Sequence, residues 1–149
     1  MISKACKYAI RAAICVAKAD TGIRLNVKEI AKEIEAPEAF TAKVLQTLNK
    51  HRVITSMKGP YGGFYLEDHQ KTQPVINIVN AIDGLSIFSE CGLGLKQCSE
   101  DHPCPMHDHY AAIRKALLMS FQGTSLGDLA GEVNGGKHFI NNVRSVSEI

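Results

Sequence analysis

Between residues 91 and 107 the chain runs Cys-Gly-Leu-Gly-Leu-Lys-Gln-Cys-Ser-Glu-Asp-His-Pro-Cys-Pro-Met-His. Two glycines and two prolines break any helix or strand here, so the segment reads as a loop. Cys91, Cys98 and Cys104 are three of the five cysteines, with six and then five residues between them, and His107 closes the stretch. Nothing in it builds a core, so the rest of the fold must be completed on either side. Soft thiolates and an imidazole in one short loop are a candidate metal set. An odd cysteine count fits a disulfide scaffold poorly, and Met1-Ile-Ser-Lys lacks the apolar core of a secretion signal. No apolar run approaches the roughly 20 residues that cross a bilayer. These features place the chain in the cytoplasm, with no membrane partner and its thiols reduced.

At 149 residues the chain suits one ordinary domain. Its charge is uneven. Residues 1–60 hold 11 Lys and Arg against 5 Asp and Glu, whereas residues 61–149 hold 6 against 10. A basic first half suits a polyanionic partner, although an uneven solvated surface gives the same count.

The first half is patterned as helices. Ala5, Ala9, Ala12, Ala13, Val16 and Ala17 recur at helical spacing over 3–18, with Ser3 as cap. Cys6 and Cys15 in this helix read as small core residues. Asn26 and Glu29 resemble a capping box before a short helix carrying Val27, Ile30, Ala31 and Ile34. Ala36-Pro37 interrupts it, and a third helix spans about 38–51 with Phe40, Val44, Leu45 and Leu48 inward. Two short helices on a tight connection form a helix-turn-helix, although a generic three-helix core shares the pattern. The β-branched run Val53–Met57, the turn Lys58-Gly-Pro-Tyr-Gly-Gly63 and Phe64–Leu66 add a hairpin, which after a helix-turn-helix is a wing.

This architecture predicts a mainly α fold with a small β wing. A winged helix-turn-helix DNA-binding region covers 1–83, and a cysteine-rich cluster-binding loop covers 84–107. A long dimerisation helix and a short terminal helix cover 106–133, and a mobile tail covers 134–149. Glu67–Gln73 reads as a polar connection, and Pro74 opens a helix through Val75, Ile78, Val79 and Ile82. The third helix offers Thr41, Ala42, Lys43 and Gln46 to a major groove. Gln46 and Thr41 suit base edges, while Lys43 and Lys50 suit phosphates. At the wing tip, Lys58 can meet a phosphate or the minor groove, and Tyr61 can pack on the backbone. Met106, Tyr110, Ile113, Leu117 and Phe121 step by 4, 3, 4 and 4, the seam of a long amphipathic helix. Tyr110, Ile113, Leu117 and Phe121 on that seam pack either within one chain or against a second copy. Helix-turn-helix proteins of this size bind palindromic double-stranded DNA as dimers, which favours the second arrangement.

Lys7-Tyr8-Ala9-Ile10, Leu48-Asn-Lys50, the Lys58–Tyr65 wing, Ile78-Val-Asn-Ala-Ile-Asp83 and the three-cysteine loop together resemble the bacterial Rrf2 family of winged-helix transcription regulators, in its iron–sulfur, IscR- and NsrR-like branch. The resemblance covers roughly residues 1–130. It implies a homodimer held by the helix after the loop, and an iron–sulfur cluster whose state sets DNA affinity in response to iron, redox state or nitric oxide. Two positions depart from the family. Lys58 stands where an arginine is usual, keeping the charge without the bidentate fork. Lys7 stands where some members place an aspartate ligand.

For the loop itself, Cys91, Cys98, Cys104 and His107 supply four ligands. A 2Fe–2S cluster is favoured because of the histidine, with 4Fe–4S as the alternative. Zinc is the structural rival, although its usual paired-cysteine spacing is missing. His102, His109 and Glu90 are lesser candidate ligands. A metal-free thiol sensor is also compatible with the loop. A Cys/His enzyme would need a substrate pocket and an oriented base, and the sequence shows neither, so the chain reads as no enzyme.

Overall fold

A computed structural model describes residues 1–142. Helix α1 (Lys4–Ala17) lies at the centre. Ser3 Oγ accepts the Cys6 N–H at 3.0 Å, satisfying an otherwise unpaired first-turn donor. Cys6, Ala9, Ala12, Ala13, Ile14, Cys15 and Val16 are all buried in it. Its alanines and cysteines are small enough for α2 (Val27–Glu33), α3 (Glu38–Lys50), α5 (Ile76–Ile82) and α7 (Leu126–Asn134) to pack on its sides. Ile30, Ile34, Leu45, Leu48, Ile54, Ile78 and Leu126 complete that core, each under 2 % exposed. Burying one such side chain contributes about 1.5–3 kcal/mol.

Helix α2 starts in the expected capping box. Asn26 Oδ1 accepts from Glu29 N at 2.8 Å, and Glu29 returns the bond to Asn26 N at 2.9 Å. The turn into α3 passes through Glu35 at φ 54°, a left-handed conformation that costs a non-glycine residue about 1–2 kcal/mol.

The wing is β1 (Thr55–Met57) antiparallel to β2 (Gly63–Tyr65), with Ser56 opposite Phe64. Val53 and Ile54, read from sequence as strand, instead enter the core at 1 % exposure. Leu25 exchanges two backbone hydrogen bonds with Phe64, at 3.0 and 2.7 Å, and so adds a third rung. Gly63 has φ +147°, and a Cβ there would lie 2.8 Å from the Leu25 carbonyl oxygen, so only glycine fits.

The expected connection over Glu67–Gln73 contains a single helical turn, α4 (Asp68–Lys71). It forms because Gln70 is buried and fully bonded. Its amide donates to Arg52 O at 2.9 Å, and its oxygen accepts from Thr55 Oγ at 2.8 Å and Glu67 N at 2.9 Å.

After α5, a 3-10 turn at Ser86–Phe88 leads into the cysteine loop, and α6 (His107–Gly123) returns from it. The base of this excursion is closed by Val75 N donating to Thr124 O at 2.9 Å and Leu126 N donating to Gln73 O at 3.1 Å. Ser125 and Asp128 then cap α7 reciprocally, each bond 3.1 Å.

The tail expected from 134 makes contacts with the first half over its described part. Residues 135–142 return to the first half, where Ile140 packs on the core. The aliphatic side chain at Ile140 supplies the apolar contact that the double glycine obscured. The rest of that tail, 143–149, lies outside the described residues.

Candidate metal centre and nucleic-acid interface

Glycine and short backbone turns fold the cysteine loop back on itself. Gly94 takes φ +73°, and its N–H closes a turn onto Cys91 O at 2.9 Å. A second turn pairs Ser99 and His102 backbones, and a third carries His107 N to Cys104 O at 2.9 Å. The result brings the sulfurs of Cys91, Cys98 and Cys104 within 4.8 Å of one another. Cys91 Sγ is 3.6 Å from Cys104 Sγ, and Cys98 Sγ is 3.2 Å from His107 Nδ1. The four donors therefore fall into two close pairs. His107 is the first residue of α6, so the loop's fourth donor is fixed to that helix.

The thiols differ in charge preference. Backbone N–H groups of Leu95 and then Leu93 pull the Cys91 thiol down to about 7, with Leu93 N at 3.4 Å. Cys104 is pushed up, first by desolvation. In α1, burial drives Cys6 up to about 12 and Cys15 to about 11. The carboxylates of Asp83 and Glu33 add to the two shifts respectively. The α1 pair are inert core residues, and the loop three are available ligands. His102, His109 and Glu90 are exposed and stand outside the thiol group.

A Cβ on Gly92 would lie 2.4 Å from the Tyr110 ring carbons, so the loop lies directly against α6. Phe121 meets Phe88 edge-on with ring centroids 6.0 Å apart. Tyr110, Leu117 and Phe121 are thus half-buried within their own chain, whereas Met106 and Ile113 of the expected seam are exposed, Ile113 at 62 %. The outward stripe is Ala112, Ile113, Ala116 and Met119, the last also 62 % exposed. Helix α6 thus carries apolar residues on both sides. The spacing of small residues at 112 and 116 before Met119 was the available signal for the second stripe.

On α3 the side chains of Lys43, Gln46 and Lys50 are exposed, as are Glu38 and Ala39 in its first turn, and Ala42 is half-buried. Thr41 is corrected from groove-facing to buried, at 1 % exposure. Its hydroxyl donates to Pro37 O at 2.9 Å, which removes the penalty for burying a polar group. At the wing tip Lys58 is exposed and Tyr61 is 87 % exposed. A Cβ on Gly62 would collide with Met57 O, which fixes the tight turn between them. The lysine–carboxylate pairs among the described residues are Lys18–Glu33 and Lys71–Asp68. Lys43, Lys50 and Lys58 therefore carry their charges into solvent. No helix among the described residues is long and apolar enough to cross a membrane.

The sequence model of the Rrf2 family, described as iron-dependent transcriptional regulators, matches residues 2–132. A protein of Aquifex aeolicus described as an HTH-type transcriptional regulator is 34 % identical over 107 residues, covering 70 % of this chain and 74 % of that one. Among solved structures, CymR, the global cysteine regulator of B. subtilis, superposes with TM-score 0.72 at 22 % identity over 89 % of this chain and 97 % of that one. IscR of T. potens superposes with TM-score 0.71 at 15 % identity over 100 % and 96 %. At these identities the two structures speak for the winged-helix fold.

Proposed function

The chain belongs to the Rrf2 family of transcriptional regulators, and on that premise we propose that it is a homodimeric DNA-binding regulator governed by an iron–sulfur cluster on Cys91, Cys98, Cys104 and His107. The observation that carries this reading is the convergence of three thiols, with the His107 imidazole at the start of α6 lying 3.2 Å from Cys98. The donor set fits the group, since thiolates hold iron–sulfur clusters and histidine can replace cysteine. The histidine among the donors favours 2Fe–2S over 4Fe–4S. A single tetrahedral zinc ion, with sulfurs at about 2.3 Å, would use the same four residues. Bound there, the cluster would supply a redox-active centre responsive to iron supply, redox state or nitric oxide.

The chain's own residues do the rest. Cys91 gives up its proton most readily of the loop thiols with a resolved shift, and ligation requires that release. His107 ties the occupied loop to the first turn of α6. The outward stripe of α6 receives a second copy, placing two α3 helices for a palindromic operator. Lys43, Lys50 and Lys58 meet phosphates, Tyr61 packs on the sugar-phosphate backbone, and Gln46 reads a base edge with Ala42 beside it.

The test is anaerobic purification followed by visible absorption, iron and sulfide assays. Cys91→Ala, Cys98→Ala and Cys104→Ala should each lose the chromophore, and Cys6→Ala and Cys15→Ala should keep it. Colourless wild-type protein containing zinc would overturn the cluster. One observation favours a second, metal-free reading: Cys91, with its thiol lowered to about 7, lies 3.6 Å from Cys104. That reading requires metal-free protein to lose two thiol hydrogens to peroxide and change its operator affinity reversibly with reductant.

A further inference from the structure

The turn between α2 and α3 is held by residues from the far end of the described chain. Helix α2 ends with backbone carbonyls that have no partner inside the helix. Asn141 Nδ2 donates to Glu33 O at 3.1 Å, and Arg11 Nη2 donates to Ile34 O at 2.5 Å. Arg11 Nε also donates to Ile140 O, so one guanidinium joins α1, α2 and the returning segment. Next along the turn, the Glu35 carboxylate accepts from Asn142 N at 3.3 Å and Asn142 Nδ2 at 2.8 Å. Glu35 is the residue at φ 54°, the left-handed position on which the direction of α3 depends. Two consecutive residues of the segment, Asn141 and Asn142, thus bond to Glu33 and Glu35, and Arg11 bridges Ile140 to Ile34 between them. The segment also follows α7, whose last residue is fastened to α1 by Asn134 Nδ2 donating to Lys18 O at 3.2 Å.

We propose that Ile140–Asn142, with Arg11, form a strap that sets the direction of the recognition helix α3 by holding the turn at Glu35. Arg11, Asn141 and Asn142 are positioning residues that touch no DNA. The consequence for DNA reading rests on the operator-binding function proposed above, whereas the strap itself is testable without DNA.

The first measurement is backbone hydrogen exchange of the full-length chain in wild type and Asn141→Ala/Asn142→Ala. Asn142 is exposed and Asn141 half-buried, and neither belongs to the apolar core, so the fold should survive and the melting temperature should shift little. Amides at 36–41 should exchange about tenfold faster, while those at 12–16 in α1 stay unchanged. Uniform exchange across both segments would overturn the strap. The second measurement uses Glu35→Gly, which suits the left-handed turn and removes the carboxylate partner. In that background Asn142→Ala should add nothing; a full additive effect would overturn the coupling. The third is fluorescence anisotropy with operator and scrambled duplexes. The double variant should lose about threefold to tenfold in the operator-to-random ratio, with random-DNA affinity little changed. Faster exchange with an unaltered ratio would refute control of α3's direction. Failure of wild type to bind any duplex would instead refute the DNA-binding function and leave the exchange result standing.

Discussion

Helices α1 and α6 are both alanine-rich and amphipathic, yet α1 buries seven of its 14 residues and α6 buries none of its 17. Four other helices enclose the first. The second leans by one stripe on α5 and the 3-10 turn, and its other stripe is open. The lesson is that an apolar face can belong to different assemblies. The small residues of α1 complete the monomer, while Ile113 and Met119 of α6 stay 62 % exposed among the described residues. The cysteines follow the same division, since those of α1 are buried and inert and those leading into α6 are accessible.

The sharpest way to break this comparison is to place a charge in each helix. Ala12→Glu should remove about 3–5 kcal/mol of stability, because the carboxylate would be buried without a partner. Ile113→Glu should change monomer stability by less than about 1 kcal/mol, since the site is 62 % exposed. It should still abolish self-association in sedimentation, where a persistent dimer would move the interface off this stripe. Denaturant melts of the two variants give the first contrast.

The next largest effect concerns the surface that α1 supports. Gln46→Ala should lose about 1–3 kcal/mol of discrimination at one base position per half-site, with random-DNA binding preserved. Lys43→Ala should instead weaken operator and random duplexes alike and lower the salt slope by about one. Anisotropy titrations at several salt concentrations separate them, and equal losses for Gln46→Ala would mean α3 is turned differently in the groove.

The smallest effect sharpens the contrast among cysteines. Because the Cys91 thiol is lowered to about 7, its thiolate is present above that pH and lost below it. Alkylation of metal-free protein at Cys91 should therefore rise between about pH 6 and 8 and then level off. Cys6 and Cys15, held up to about 12 and 11, should stay unlabelled until the protein unfolds. Mass-resolved labelling at each pH checks both.

Much of this was legible in the sequence because the signals were local. The Asn26–Glu29 box, the wing glycines and the proline at 37 each act within a few residues. The cysteine loop was legible by composition, but its pairing of Cys98 with His107 was not, since turn closure depends on backbone geometry across nine positions. The inward face of Phe40, Val44 and Leu48 leaves Thr41 to the groove by spacing alone, but its hydroxyl is satisfied one turn back on Pro37 O, which lets it be buried. The α4 turn carried a faint signal in Glu67 and Gln70, overlooked because the segment lacks apolar periodicity. The return of Ile140–Asn142 joins residues more than a hundred positions apart, which no local pattern encodes.

The pair of backbone bonds between 73–75 and 124–126 makes α6 a lever. Its fulcrum is at Thr124, and His107 is the tip of its long arm. Seventeen residues at 1.5 Å each give an arm of about 25 Å, so a sideways step of about 2 Å at His107 equals a tilt of about 5°. The short arm begins immediately past the fulcrum as α7, which packs on α1. If the two arms turned together, an ångström-scale rearrangement around the thiols would reach α1 as a smaller displacement.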